Sequence, residues 1–293
     1  MESMVNSFTG LKYMRSAIRG LTILAALSFV APAFAANPST STMKPKAPVA
    51  PKAPESPWTF VFNLETASNM MKDEMNGREA QTALEAVMVY KFNKITSLKI
   101  STALYKDHTG PQDAGFDNST IGLGFTTPLA TNIDWKNSIT AILPTNRKAQ
   151  DQSSLQGTAA LASTLVYKNL FWGSSATTGI SVARNFHEYN MTADGGYNIR
   201  NTAAATVGYT LPLFGNFALD TLFKYTEAWL YNDDNRMKFL FSADLSYEFT
   251  PHFSAYIGTS NEGSALKPNG VDSNIEIFND TSSVIKAGIT LSI

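Results

Sequence analysis

The chain has no cysteine, only three histidines, and almost no charge imbalance: 23 Lys and Arg against 24 Asp and Glu in 293 residues. Without cysteine there are no disulfides, no thiolate nucleophiles and no thiolate metal sites. A formal charge of −1 provides no basic surface for phosphates, so nucleic acid is not an expected partner. From Trp58 onward no apolar run exceeds a handful of residues. A spanning helix needs about 20, so that route across a bilayer is closed to this part of the chain.

The N-terminus differs from the rest. Lys12, Arg15 and Arg19 precede a short apolar run from Leu21 to Val30, followed by Ala33-Phe34-Ala35. Basic start, apolar stretch and small residues are the order of a secretory leader, with cleavage expected after Ala35. The run is too short for a transmembrane anchor. Met14 is an alternative start that leaves a more compact leader. Residues 1–35 are therefore read as a signal peptide and 36–57 as a linker. Pro38, Pro45, Pro48, Pro51, Pro54 and Pro57 remove backbone donors and favour an extended polyproline tether.

Residues 58–293 are built of alternation. Phe239, Phe241, Ala243, Leu245, Tyr247 and Phe249 interleave with Lys238, Ser242, Asp244, Ser246 and Glu248, giving one apolar and one polar face. Twelve such stretches are expected, near 58–68, 80–92, 95–106, 117–127, 132–144, 154–167, 172–186, 200–211, 216–230, 236–249, 252–260 and 283–293. The connections alternate short and long. Those after even-numbered strands are two to four residues, and those after odd strands are mostly longer and rich in Gly, Asn, Asp and Pro. Segment 261–282 is the longest, and Ile275, Ile277 and Phe278 within it could form an extra extension above the membrane.

Aromatic residues gather beside the short turns. Trp58, Phe60, Tyr90, Phe92, Phe125, Trp135, Tyr167, Trp172, Tyr209, Phe217, Tyr247, Phe249 and Phe253 form that set. A thinner one, Tyr105, Phe186, Trp229, Tyr231 and Phe239, lies near the long loops. On these features the chain resembles a Gram-negative outer-membrane β-barrel across residues 58–293 plus the leader. The expected fold is all-β, an antiparallel up-and-down barrel of about 12 strands with apolar side chains toward lipid and polar ones toward a lumen. The resemblance implies short turns and both ends of the barrel on the periplasmic side, long loops outside, and outer-membrane lipid and the barrel-assembly machinery as partners. Such proteins usually end in an aromatic residue, whereas this chain ends Ile289, Leu291, Ile293 in the same alternation.

Barrels of this size include passive channels, a phospholipase, a lipid A deacylase and autotransporter domains. A phospholipase-type His-x-Ser-Asn-Gly run is absent; Ser260-Asn261-Glu262-Gly263 comes nearest and lacks the histidine. His108 and His187 sit beside Asp107 and Glu188, but neighbours on a strand face opposite ways and cannot cooperate. His252 follows Pro251 in a short turn. Asp233 and Asp234 could suit an omptin-like protease or calcium, yet they are also ordinary turn residues. No catalytic residue, metal site or cofactor is expected.

What remains is the polar face. Glu85, Lys99, Asp134, Lys136, Asp220, Lys224, Lys238, Asp244 and Lys286 are the pore-lining candidates, with Glu65, Lys91 and Glu248 completing the charged set. Six of these twelve are basic and six acidic. A single-sign ring would predict strong ion selectivity, and a balanced set predicts a weakly selective pore or a lumen closed by ion pairs. The expectation is a passive porin-like channel for small hydrophilic solutes. Its rivals are a plugged barrel with a structural or surface-interaction role and, more distantly, a lipid-modifying enzyme.

Overall fold

The computed structural model describes residues 56–70, 79–109, 113–267, 270, 272–279 and 282–293. The leader 1–35 and residues 36–55 of the linker lie outside them. The strands are β1 (Trp58–Asn69), β2 (Ala80–Lys91), β3 (Thr96–Asp107), β4 (Ala114–Phe116), β5 (Ser119–Ala130), β6 (Ile133–Leu143), β7 (Leu155–Tyr167), β8 (Ser175–His187), β9 (Ile199–Pro212), β10 (Phe217–Leu230), β11 (Asn235–Thr250), β12 (Phe253–Ser264) and β13 (Val284–Ser292). β4 and β5 both pair antiparallel with β3, and every other strand is antiparallel to its neighbours in sequence. β13 returns to pair with β1 from Val61↔Ser292 to Asn69↔Val284, so the sheet closes on itself.

Thirteen segments make twelve spans, because β4 and β5 are one span interrupted at Asp117 and Asn118. The loop ahead of α1 (Arg147–Ser153) takes over the pairing there. Thr145 donates its hydroxyl to the Asp117 carbonyl, and the Asn146 amide donates to the Asp117 carboxylate at 3.0 Å. α1 itself is a helical turn inside a segment expected to be plain loop. Asn146 caps it by accepting the Ala149 N–H at 3.2 Å, and Ser154 ends it at φ 50.

Twelve strands about 4.8 Å apart, tilted by about 40°, close to a backbone diameter of about 24 Å. A twelve-residue strand at that tilt rises about 30 Å, enough to cover an apolar band of about 25 Å. The exterior supplies such a band: Leu64, Leu84, Leu104, Ile121, Leu123, Ile139, Leu161, Ile180, Val207, Ile257 and Ile289 are all large, apolar and exposed. Their presence on most strands of the closed sheet leaves no second layer to cover them, and a lipid bilayer is the medium that surface requires.

Rings line the short-turn rim in direct contact. Phe60, Trp58, Tyr90 and Phe92 form one run with centroids 6.3, 4.5 and 5.0 Å apart. Phe214, Phe217, Tyr247, Phe249 and Phe253 form a second, spaced 4.6–5.3 Å. β13 falls between the two runs. There Ile293 exchanges backbone hydrogen bonds with Phe60 and stays exposed, an aliphatic side chain in the gap.

β8 starts three residues later than its sequence pattern suggests, because Phe171–Gly173 wind into a 3-10 turn with Trp172 at φ 55. β12 runs on to Ser264, so Ser260-Asn261-Glu262-Gly263 is strand rather than loop. Beyond it, the described part of 265–282 holds one isolated bridge, Leu266↔Ser273. This loop turns back on the barrel: Asn261 donates to the Glu276 carbonyl and accepts from the Ser282 hydroxyl, and is only 2% exposed.

Candidate functional site

Register assigns the two faces. Starting from Asn63, the pairings run through Glu85, Ala103 and Ser101 in β2 and β3, and through Thr120, Gly122 and Gly124 in β5. On the far side they link Gly208 to Leu222 and Ser242, and Asp244 to Gly258 and Lys286. Glu85, Lys99, Asp134, Lys136, Asp220, Lys224, Lys238, Asp244 and Lys286 all occupy this face, opposite the exposed apolar residues. They do not form a ring at one depth. Lys136 is the fourth residue of β6, close to the short turns, whereas Lys224 is near the middle of β10.

Two stretches of the inner face contrast. Through the middle of β6 to β9 it presents small side chains: Ser138, Thr140, Ala160, Ala162, Gly179, Ser181, Ala183, Ala204 and Thr206. All are half-buried, so solvent reaches a wall that has little bulk. In the middle of β10 and β11 the inner residues are buried instead. Leu222 is 6% exposed, Lys224 8%, Ser242 3% and Asp244 6%. Free space therefore lies against the small-residue half. Facing backbones are about 24 Å apart, so side chains extending about 6 Å from each wall would leave about 12 Å between them.

Two links in the packed half cross a glycine. Asp244 in β11 reaches over Gly258 in β12 and accepts from the Lys286 ammonium in β13 at 2.9 Å. One strand on, Tyr256 in β12 reaches over Gly288 in β13 and donates its hydroxyl to Glu65 in β1 at 2.6 Å. A Cβ at Gly258 would lie 1.9 Å from the Asp244 carboxylate, and one at Gly288 would lie 2.5 Å from the Tyr256 ring. Only hydrogen fits beneath either side chain.

The other charges are compensated in several ways. Asp220 accepts from the hydroxyls of Thr210 at 2.7 Å and Ser246 at 3.1 Å. Asp134 pairs with Lys168, which lies just beyond β7. Glu85 faces the charge of Lys99, and Glu262 that of Lys238. Sequence reasoning missed Tyr256 and Glu262 as inner residues: the first reads as one more aromatic, and the second falls where the strand seems to end in Asn and Gly.

Histidine has no carboxylate partner among the described residues. His108 shares a hydrogen bond with the Thr82 hydroxyl, His252 meets the Ser292 carbonyl, and His187 packs edge-on against Tyr231. Asp233 takes a left-handed turn conformation at φ 67 and pairs with Arg200 at 2.7 Å. Among the described residues no group of three or more His, Asp or Glu is placed to hold a metal. An open groove of about 710 Å³ lies by the long loops, between α1 and residues 188–193, lined by Gln150, Gln156, Glu188 and Tyr189. It is separate from the inner-face charges.

No protein-family model and no curated protein matches the chain. Its fold does match solved structures. An outer-membrane channel from Pseudomonas putida F1 superposes with a TM-score of 0.58 at 11% identity, covering 84% of this chain and all of that one. The NanC porin does so with a TM-score of 0.53 at 10% identity, over 79% of this chain and 98% of its own. At these identities the likeness establishes a shared architecture, the closed transmembrane barrel of outer-membrane channels.

Proposed function

We propose that the chain is a passive outer-membrane channel for small hydrophilic solutes, with no chemistry of its own. The observation that carries this reading is the divided lumen. A filled barrel would pack bulky side chains against both halves of its inner wall, but here the β6–β9 half presents Ala, Gly, Ser and Thr that solvent reaches. The packed half keeps its charges in place through the Asp244–Lys286 and Glu65–Tyr256 links, so they need not meet across the passage. Two proteins of the same architecture bear the names porin and channel, which agrees with the proposal. Among the described residues the three histidines meet a threonine hydroxyl, a backbone carbonyl and a tyrosine ring.

Liposome swelling tests the proposal. Vesicles holding the refolded barrel should swell in small sugars and amino acids, and the rate should fall steeply as solute width approaches about 12 Å. A folded barrel that admits none of them contradicts it and favours the plugged alternative. Mass spectrometry of membrane lipids with and without the protein checks the second half, with no change in acyl chains expected.

A further inference from the structure

Most inner-face charges described above have a partner or an opposing charge nearby, but one buried inner-face ammonium has neither. Lys286 is held by Asp244, Lys99 faces Glu85, and Lys238 faces Glu262. Lys136 has Asp134 within electrostatic reach, although that carboxylate is already paired with Lys168. Lys224 differs. No ion pair, hydrogen bond or neighbouring carboxylate engages it among the described residues, and only 8% of it is exposed. Its direct cross-strand neighbours are Thr206 and Leu240. A cation so buried beside apolar side chains is costly unless a counter-charge arrives. Thr206 belongs to the small-residue wall, so Lys224 stands where the packed half meets the open one.

Resting on the channel reading above, we propose that the lumen selects small anionic solutes, carboxylate- or phosphate-bearing, through the unpaired ammonium of Lys224, with Lys136 as a second step. The two lysines border the open wall from β10 and β6, at different depths. An anion passing along that wall meets one and then the other, which permits transfer between sites instead of tight capture. In the packed half Lys286 neutralises Asp244 and Lys238 opposes Glu262, whereas Asp220 and Glu65 keep their charge and are held by hydroxyl donors within that wall.

Reversal potentials in a KCl gradient read this directly. A unit charge about 6 Å from a passing ion in water enriches counter-ions about threefold, so the wild-type channel should pass chloride over potassium by about that factor at 0.1 M. Raising the salt to about 1 M, where the screening length is about 3 Å, should bring the ratio close to one. Lys224→Met should lower the preference with conductance retained, Lys224→Arg should keep it, and Lys136→Glu with Lys224→Glu should favour potassium. If Lys224→Met does not fold, the wild-type ratio, its salt dependence and Lys136→Gln carry the same test. Open-state current with no chloride preference, or a preference unmoved by these substitutions, overturns the proposal and leaves the channel reading standing. No current from a folded barrel overturns both.

Discussion

At the scale of single residues, the inner face is organised by what two glycines leave out. Asp244 and Tyr256 lie flat across neighbouring strands because Gly258 and Gly288 have no side chain to obstruct them. Gly258→Ala and Gly288→Ala should each destabilise the barrel by about 1–3 kcal/mol, the usual cost of forcing a methyl into a filled space. Urea titration of the refolded protein in detergent checks this, and unchanged midpoints would show that the two side chains rest elsewhere. Removing the ammonium should cost more. Lys286→Met leaves a carboxylate that is 8% exposed without its cation, at about 3–5 kcal/mol. Adding Asp244→Asn should recover most of that loss, since the penalty arises from the stranded charge and not from the missing pair.

These contacts were illegible in the sequence for a physical reason. Asp244 and Lys286 are 42 positions apart, and Tyr256 and Glu65 are 191 apart. Which residues meet depends on the register of three strands at once. Which face a residue occupies depends only on the parity of its own strand, so the inner set from Glu85 to Lys286 could be written down from alternation alone.

At the scale of elements, the strands follow their sequence patterns closely and the departures have local causes. The β4–β5 interruption arises where Thr145 and Asn146 supply side-chain hydrogen bonds in place of ladder bonds. Alternation cannot anticipate that, because the partner lies in a loop. α1 escaped notice since a helix of seven residues has no periodicity to read, and its only signal is the Asn146 cap. Asn146→Ala removes both the cap and the amide bond to the Asp117 carboxylate, at about 1 kcal/mol for the cap. Limited proteolysis of intact cells should then cut more rapidly within 144–154, with the barrel itself untouched. Equal cutting rates would mean that the loop is held mainly by its other bonds, such as the Lys148 pairs with Asp113 and Asp107.

The aromatic rim shows both sides of this legibility. Clustering beside the short turns is visible in the sequence, because each ring lies within a few residues of a turn signal. The ladder of contacts from Phe214 to Phe253 is not, since it runs across strands. Trp172 stands apart from both runs, 87% exposed in the turn before β8. In bilayers its fluorescence should be quenched by interfacial probes and spared by probes at the acyl-chain ends, as expected of a ring at headgroup depth.

For the molecule as a whole, one number governs function: the width left after the inner side chains are placed. Eight strands fill their interior and sixteen hold a water channel, so twelve is the size at which side-chain bulk decides. Here that bulk is unequal. Leu222, Lys224, Leu240 and Asp244 fill one side, and Ala160, Ala162, Gly179 and Ala183 leave the other open. The most direct test is single-channel recording of the refolded, heat-modifiable barrel in a planar bilayer. Stable open-state steps are expected, and Ala162→Trp with Ala183→Trp on the small-residue wall should reduce them severalfold. A correctly folded barrel that gives no open-state steps would contradict the account.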